Sequence, residues 1–268
     1  VTEDSFFLKG FACDNVIEYE LVIANGTVIT VTKDVNSDIF WALRGGGKSS
    51  TQGPHHQPMR QSDIITGNII GIVTRYTLNT YDIGEVWGGA MTWDPKYMSE
   101  INAAISDFTA NNKDSRAALI PGYTFIAGNQ SRHISVAYFY DGPSPPAKVF
   151  EAFTSVPSLS DTTKMQRYPQ LLDIPGTTSA TGLRTTNAVN SLPNMGLSNM
   201  TTFLDWHWNH SSRAPFMSLR KHFGIRLFTM ALQPISVGLQ QASAAHGSGA
   251  LAVHPDHGHK MWIEYDIG

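Results

Sequence analysis

Residues 9–81 constrain this chain more than any other stretch. They open with Gly10-Phe11-Ala12-Cys13-Asp14-Asn15-Val16 and run into an alternating segment, 16–24. Ile17, Tyr19, Leu21 and Ile23 share one face of a strand there, and Glu18 and Glu20 the other. Asn25-Gly26 suits a two-residue turn that needs positive φ. A second run, 28–31, completes a β-hairpin. A short helix follows, for which Asn36, Ser37 or Asp38 can serve as cap. From it Phe40, Trp41 and Leu43 can cover the hairpin. Gly45 is a natural helix stop, because glycine tolerates the left-handed conformation. Gly46 and Gly47 let a backbone or a ligand come close. Gly71-Ile72-Val73-Thr74-Arg75-Tyr76-Thr77-Leu78 supplies a further strand.

These words, in this order, resemble the second half of the FAD-binding domain of berberine-bridge-enzyme-like oxidases. Those are flavoproteins of the vanillyl-alcohol-oxidase type, with a PCMH-type FAD-binding domain. The family stretch reads approximately G-x-A-x-D-N-V, a hairpin, D-L-F-W-A-L-R-G-G-G, then N-N-F-G-I-V-T. A serine and aromatic residues before its first glycine are matched by Ser5-Phe6-Phe7. Several fixed words in fixed order make this specific, where a lone triple glycine would mean little.

The resemblance implies an α+β chain in two parts. Residues 1–82 would be the C-terminal part of the FAD-binding domain. Residues 83–268 would be a substrate domain, an antiparallel sheet with helices on one face. The family's hairpin lies along the adenine and diphosphate side of FAD. Asn15, Val16 and Val22 are then the expected contributors, mainly through backbone groups. Gly45, Gly46 and Gly47 would form the tight turn beside the flavin-binding sheet, and Asn68 reopens the family's wording after an interruption. Val16 and Val22 also read as sheet core, and the glycines as a plain helix stop.

The interruption is 48–67, which is polar and has neither helical nor strand periodicity. A structureless run of that length is unusual inside a compact unit. Without it, Gly45-Gly46-Gly47 joins Asn68-Ile69-Ile70-Gly71-Ile72-Val73-Thr74 in register with the family, which suggests a retained intron. A surface loop is the alternative, since closure entropy grows slowly with length. Gly47-Lys48-Ser49 is not a phosphate-binding loop, because Ala42 stands where that motif needs glycine.

Beyond Asp82 the pattern is sheet and helix. Residues 84–92, 117–127, 133–140, 223–234 and 261–265 read as strands. Asp94-Pro95 starts a helix whose apolar stripe is Tyr97, Met98, Ile101, Ala104, Ile105 and Phe108. Pro146 opens another through Val149, Phe150 and Phe153. Residues 176–213, rich in Thr, Asn, Ser and Gly, give no decided pattern.

Composition excludes several classes. A net charge of −3 over 268 residues offers nothing to nucleic acid or an anionic membrane. No apolar run is long enough to span a bilayer as a helix. Cys13 is the one cysteine, so there is neither an internal disulfide nor a cysteine metal cluster. His254, Asp256, His257 and His259 sit on a Pro/Gly turn and read as solvated, so no metal is expected. Four N-x-S/T sequons, at Asn25, Asn129, Asn199 and Asn209, lean toward an extracellular location. There is no Gly-x-Gly-x-x-Gly fingerprint and no Gly-x-Ser-x-Gly elbow.

The expected activity is that of an FAD-linked oxidoreductase. It would oxidise an alcohol, a carbohydrate or a secondary metabolite, with dioxygen as acceptor. The family's pyrophosphate loop and its flavin-linking histidine have no match in these residues, nor has its C-terminal segment. The chain therefore reads as an internal fragment, colourless on its own, with the catalytic base unassigned. A non-catalytic module lacking flavin is the other reading.

Overall fold

A computed structural model describes residues 9–45, 70–126, 131–171, 186–211, 222, 224–247, 249–251 and 254–268. The chain divides into two compact units. The first is Val1–Asp82 with Gly238–Asp256, and the second is Ile83–Val237 with His257–Gly268. Residues 238–256, read above with the substrate region, thus cluster with the first unit. The segment 48–67, with Gly46, Gly47 and Asn68, lies outside the described residues.

In the first unit, strand β1 (Val16–Val22) runs between β2 (Val28–Thr32) and β3 (Ile72–Leu78), antiparallel to both. The hairpin does not close through two residues. Gly26 N–H donates to the Ile23 carbonyl at 2.9 Å and Ile23 N–H to the Thr27 carbonyl at 3.0 Å. Three residues therefore make the connection, with Gly26 at φ 84°. Asn25 keeps negative φ, and its Oδ1 accepts the Thr27 N–H at 2.9 Å. The β1–β3 register slips twice, between Glu20 and Leu21 and between Val16 and Glu18, and the second slip breaks the alternation of β1. Val16 is buried and Ile17 exposed as a result, while Tyr19 and Leu21 keep the expected face.

Helix α1 (Ser37–Leu43) covers this sheet. Asn36 stands at its cap position, but in left-handed conformation, and its side chain donates to the Thr30 carbonyl at 2.8 Å instead of capping. Phe40 meets Tyr19 edge-on, ring centres 5.8 Å apart. Val16, Tyr19, Leu21, Val31 and Phe40 form the small core, with Ile29, Ile39 and Val73 packed against it. The outer strand β3 is exposed along almost its whole length.

The second unit opens with β4 (Glu85–Trp93). Asp94 accepts the Lys96 N–H at 2.9 Å, and the turn Pro95–Tyr97 leads into helix α2 (Met98–Asn111). Then come β5 (Ala117–Ile126), β6 (Ser131–Tyr140), β7 (Ser160–Asp161) and β8 (Lys164–Arg167). After these come β9 (Thr186–Pro193), helix α3 (Leu197–Ser211), β10 (Leu227–Ile235) and β11 (Lys260–Ile267), while helix α4 (Val237–Ala245), between β10 and β11, clusters from Gly238 on with the first unit. The antiparallel sheet has the order β7-β4-β6-β5-β10-β11-β9, with β8 also pairing β4.

Helices α2 and α3 pack on one face of that sheet. Ile101, Ile105, Phe108, Met200, Leu204 and Trp208 share a core with Met91, Tyr123, Val136, Met230 and Ile263. The helix expected from Pro146 shrinks to one turn, Glu151–Thr154. Pro157 soon follows, with no N–H to continue it. Phe150 and Phe153 are nonetheless buried, ringed by Trp87 and Tyr138. Within 176–213 the described residues form β9 and α3.

Candidate functional site

The first unit gathers three turns around one side chain. Asp14 lies in the turn before β1, where its Oδ2 accepts the Phe11 N–H at 2.8 Å. Its Oδ1 accepts from Arg44 Nη2, also at 2.8 Å, and both side chains are almost wholly buried. Arg44 Nη1 donates to the His246 carbonyl at 2.9 Å. Arg44 thus joins the end of α1 both to the entry of β1 and to the segment after α4. Its Nε is buried with no hydrogen-bond partner among the described residues.

Glycines make this convergence possible. Gly45 has φ 92°, and a Cβ there would come within 2.6 Å of the Leu251 side chain. A Cβ on Gly249 would come within 2.3 Å of the Arg44 carbonyl oxygen. The space beside Gly45 is thus filled from within by the segment 246–251.

Of the residues expected to bind a cofactor, Asn15, Val16, Val22 and Gly45 are described. Asn15 Nδ2 donates to the carbonyls of Lys9 and Phe11, both at 3.0 Å, and its Oδ1 accepts from Tyr81 Oη at 2.6 Å. That side chain is committed to holding the turn. Val16 pairs with Leu78 on the β3 side, whereas β2 reaches only as far as Glu18. Val22 has strand neighbours on both sides, Val28 and Ile72. Cys13 is half-buried, and burial, with the Asp14 charge beside it, pushes its thiol up to about 11.

The second unit presents a different surface. On the sheet face opposite α2 and α3, the register draws a row across six strands: Val189, Glu264, Ala231, Gly122, Ser135 and Thr92. A parallel row holds Asn187, Asp266, Thr229, Thr124 and His133. Gln233 stands opposite Trp262 beside them. Their strand neighbours Met261, Ile263, Met230 and Tyr123 point into the core, so the pleat turns this polar set the other way. Glu264 is exposed between Val189 and Ala231, and on the Ala231 side the row continues to Gly122, small residues that leave room above the sheet. Burial holds the His133 imidazole below the usual histidine pKa, which makes it a neutral proton acceptor near pH 7.

The sequence reading did not single out this face. The signal is the alternation in β11, where Met261 and Ile263 are buried while Trp262 and Glu264 lie opposite. Asp256 and His257 lie in a short 3-10 turn, Pro255–His257, with His254 just before it and His259 just before β11. Among the described residues no cluster of histidine, cysteine or carboxylate side chains is arranged to hold a metal.

No family model matches the chain. Among curated proteins, it is 33% identical over 168 residues to an uncharacterized FAD-linked oxidoreductase of Arthroderma benhamiae. That match covers 61% of this chain and 28% of that protein. It is 28% identical over 157 residues to the bifunctional solanapyrone synthase of Alternaria solani, covering 58% of this chain and 26% of that one. Among solved structures, a berberine-bridge-like protein of Arabidopsis thaliana superposes over 97% of this chain with TM-score 0.59 and 14% identity. The berberine bridge enzyme of Eschscholzia californica does so over 96%, with TM-score 0.57 and 14% identity. The fold is that of the berberine-bridge-like FAD oxidases.

The chain spans under a third of the curated relatives it matches. It covers 49% and 46% of the two solved chains. 6-Hydroxy-D-nicotine oxidase of Arthrobacter nicotinovorans shares the fold as well, with TM-score 0.56 and 14% identity over 96% of this chain and 50% of that one. The relatives named here are FAD-linked oxidoreductases and oxidases, with the bifunctional synthase beside them.

Proposed function

We propose that this chain is part of an FAD-dependent oxidoreductase that oxidises an alcohol, a carbohydrate or a secondary metabolite with dioxygen as acceptor. The observation that carries the reading is the agreement of its FAD-linked curated relatives with its berberine-bridge-like fold. Residues 1–82 are the C-terminal part of the FAD-binding domain in this reading, and the sheet of residues 83–268 is the substrate region.

Of the residues expected to bind the cofactor, Val16 and the turn before it fit it best. The open flank of Val16 beyond the end of β2 suits the hydrogen-bonding edge of a nucleotide. The backbone of Asn15 and Val16, with Gly46, Gly47 and Asn68, would hold FAD, whereas Val22, paired on both sides, and Gly45, whose space Leu251 fills, would not touch it. Bound FAD would take a hydride from the substrate carbon and pass electrons to dioxygen.

On the open sheet face, Thr92, Thr124, Ser135 and Gln233 supply hydroxyls and an amide to orient a hydroxyl-bearing substrate. Glu264, a carboxylate bordered by small residues, takes the proton from the substrate hydroxyl oxygen. The complete gene product, supplied with panels of alcohols and oligosaccharides, should consume dioxygen with at least one of them. Glu264→Gln should lower kcat by about 10²–10⁴-fold with flavin content unchanged. An intact, flavin-loaded enzyme indifferent to Glu264→Gln would remove Glu264 from that role. A folded product that binds no flavin would favour the non-catalytic module.

A further inference from the structure

We infer that the outer edge of β9 is a dimer surface, on which a second copy of this chain pairs its own β9. The sheet of the second unit ends in two different ways. At one end β4 is followed by β7 and β8, and that edge is guarded. Thr162 N–H and Oγ1 both donate to the Ala90 carbonyl, at 2.9 and 3.0 Å, where the edge is interrupted between Asp161 and Lys164. Lys164 and Arg167 stand exposed along the rest of it. An interruption and charged side chains keep a sheet edge from pairing with another chain.

At the other end stands β9, which has none of these devices. It pairs with β11 without a slip over all of Thr186–Pro193, and no other described strand lies beyond it. Alternate residues of an edge strand turn their N–H and C=O groups away from the neighbouring strand, so a row of them faces outward here. Pro193 comes last in the strand and removes no inner donor. Ala188, Val189, Asn190 and Ser191 are all exposed. Just past the strand Met195 and Leu197 are exposed too, which adds apolar surface beside the edge. Two features make the occupant a second copy. No residue from 186 to 193 is charged, so two β9 strands meet without opposed like charges. The guarded edge cannot receive β9, so head-to-tail growth is blocked and a closed two-fold pair remains. Antiparallel partners share a sheet face, so the two-fold axis runs through a residue near the middle of the strand, Val189 or Asn190. The two faces that carry Glu264 then lie on the same side of one continuous sheet.

Sedimentation of the complete gene product tests this. One strand pair is a small interface, so the chain should pass from one copy to two across the micromolar range. Ala188→Lys/Asn190→Lys opposes lysines whether the axis runs through Val189 or Asn190. It should weaken association at least about tenfold, with the circular dichroism spectrum unchanged. Ala188→Glu/Asn190→Glu should do the same, and an equimolar mixture of the two variants should regain the dimer. In the wild type the outward amides of 188–192 should exchange more slowly at high than at low protein concentration. That measurement needs no substitution and decides the question if the variants do not fold. A wild type that stays monomeric at its highest soluble concentration would overturn the proposal. So would a dimer that the lysines leave intact, a mixture that does not recombine, or edge amides indifferent to concentration. None of these readouts depends on flavin or turnover.

Discussion

Arg44 and Asp14, thirty positions apart, form a buried ion pair whose Nη2–Oδ1 distance is 2.8 Å. Asp14 belongs to the word before the hairpin and Arg44 to the word before the glycines, so the pair joins the two most specific stretches of the sequence. Removing one partner strands the other charge away from water. Asp14→Ala should cost about 3–5 kcal/mol of stability, read from the shift of a denaturant midpoint. The double variant Asp14→Ala/Arg44→Met should lose clearly less than the sum of the two single changes. A sum that is simply additive would mean that the two charges do not depend on each other.

A second polar group lies in the core of the larger unit. Tyr123 Oη donates to Asn102 Oδ1, and Asn102 Nδ2 donates to Asp205 Oδ1 at 2.5 Å. Asn102 thereby ties strand β5 and helix α2 to helix α3. Asn102→Ala leaves the Tyr123 hydroxyl buried without its acceptor, at a cost of about 1–3 kcal/mol. Tyr123→Phe placed on top of Asn102→Ala should recover part of that loss in thermal melts. No recovery would mean that the hydroxyl finds another partner.

Two partly buried histidines, His133 and His207, set an acid limit to stability. Burial lowers the pKa of His133 and of His207 below the usual 6.5. A folded value below the unfolded one favours the neutral form in the native state. The resulting stability is complete above about 6.5 and is lost as pH falls through the lowered folded values. Denaturant midpoints should therefore drop between neutral and mildly acidic pH, and His133→Gln should flatten part of that slope. A slope unchanged by the substitution would exclude His133 from it.

Much of this architecture was legible in the sequence, and the misses have physical causes. The hairpin and its covering helix follow from alternation, a turn glycine and an aromatic helix face. The turn type was misjudged because Asn25 spends its side chain on the Thr27 N–H and keeps negative φ. The face of Ile17 was misjudged because a register slip is not written in periodicity. Helix α3 was hidden by Thr, Asn and His, although Met200, Leu204 and Trp208 recur at every fourth position and are all buried. The return of 238–256 to the first unit rests on contacts such as Arg44 to His246, 202 positions apart, which no local pattern announces. Glu264 lay within a strand that was recognised, but its neighbours across the sheet depend on the register of six strands.

The most direct measurement is the flavin content of the purified complete gene product, by visible absorbance after desalting and identification of the released cofactor. The account predicts about one FAD per folded chain, bleached anaerobically by a substrate and restored by dioxygen. A folded protein that stays colourless and takes up no FAD on titration would contradict it.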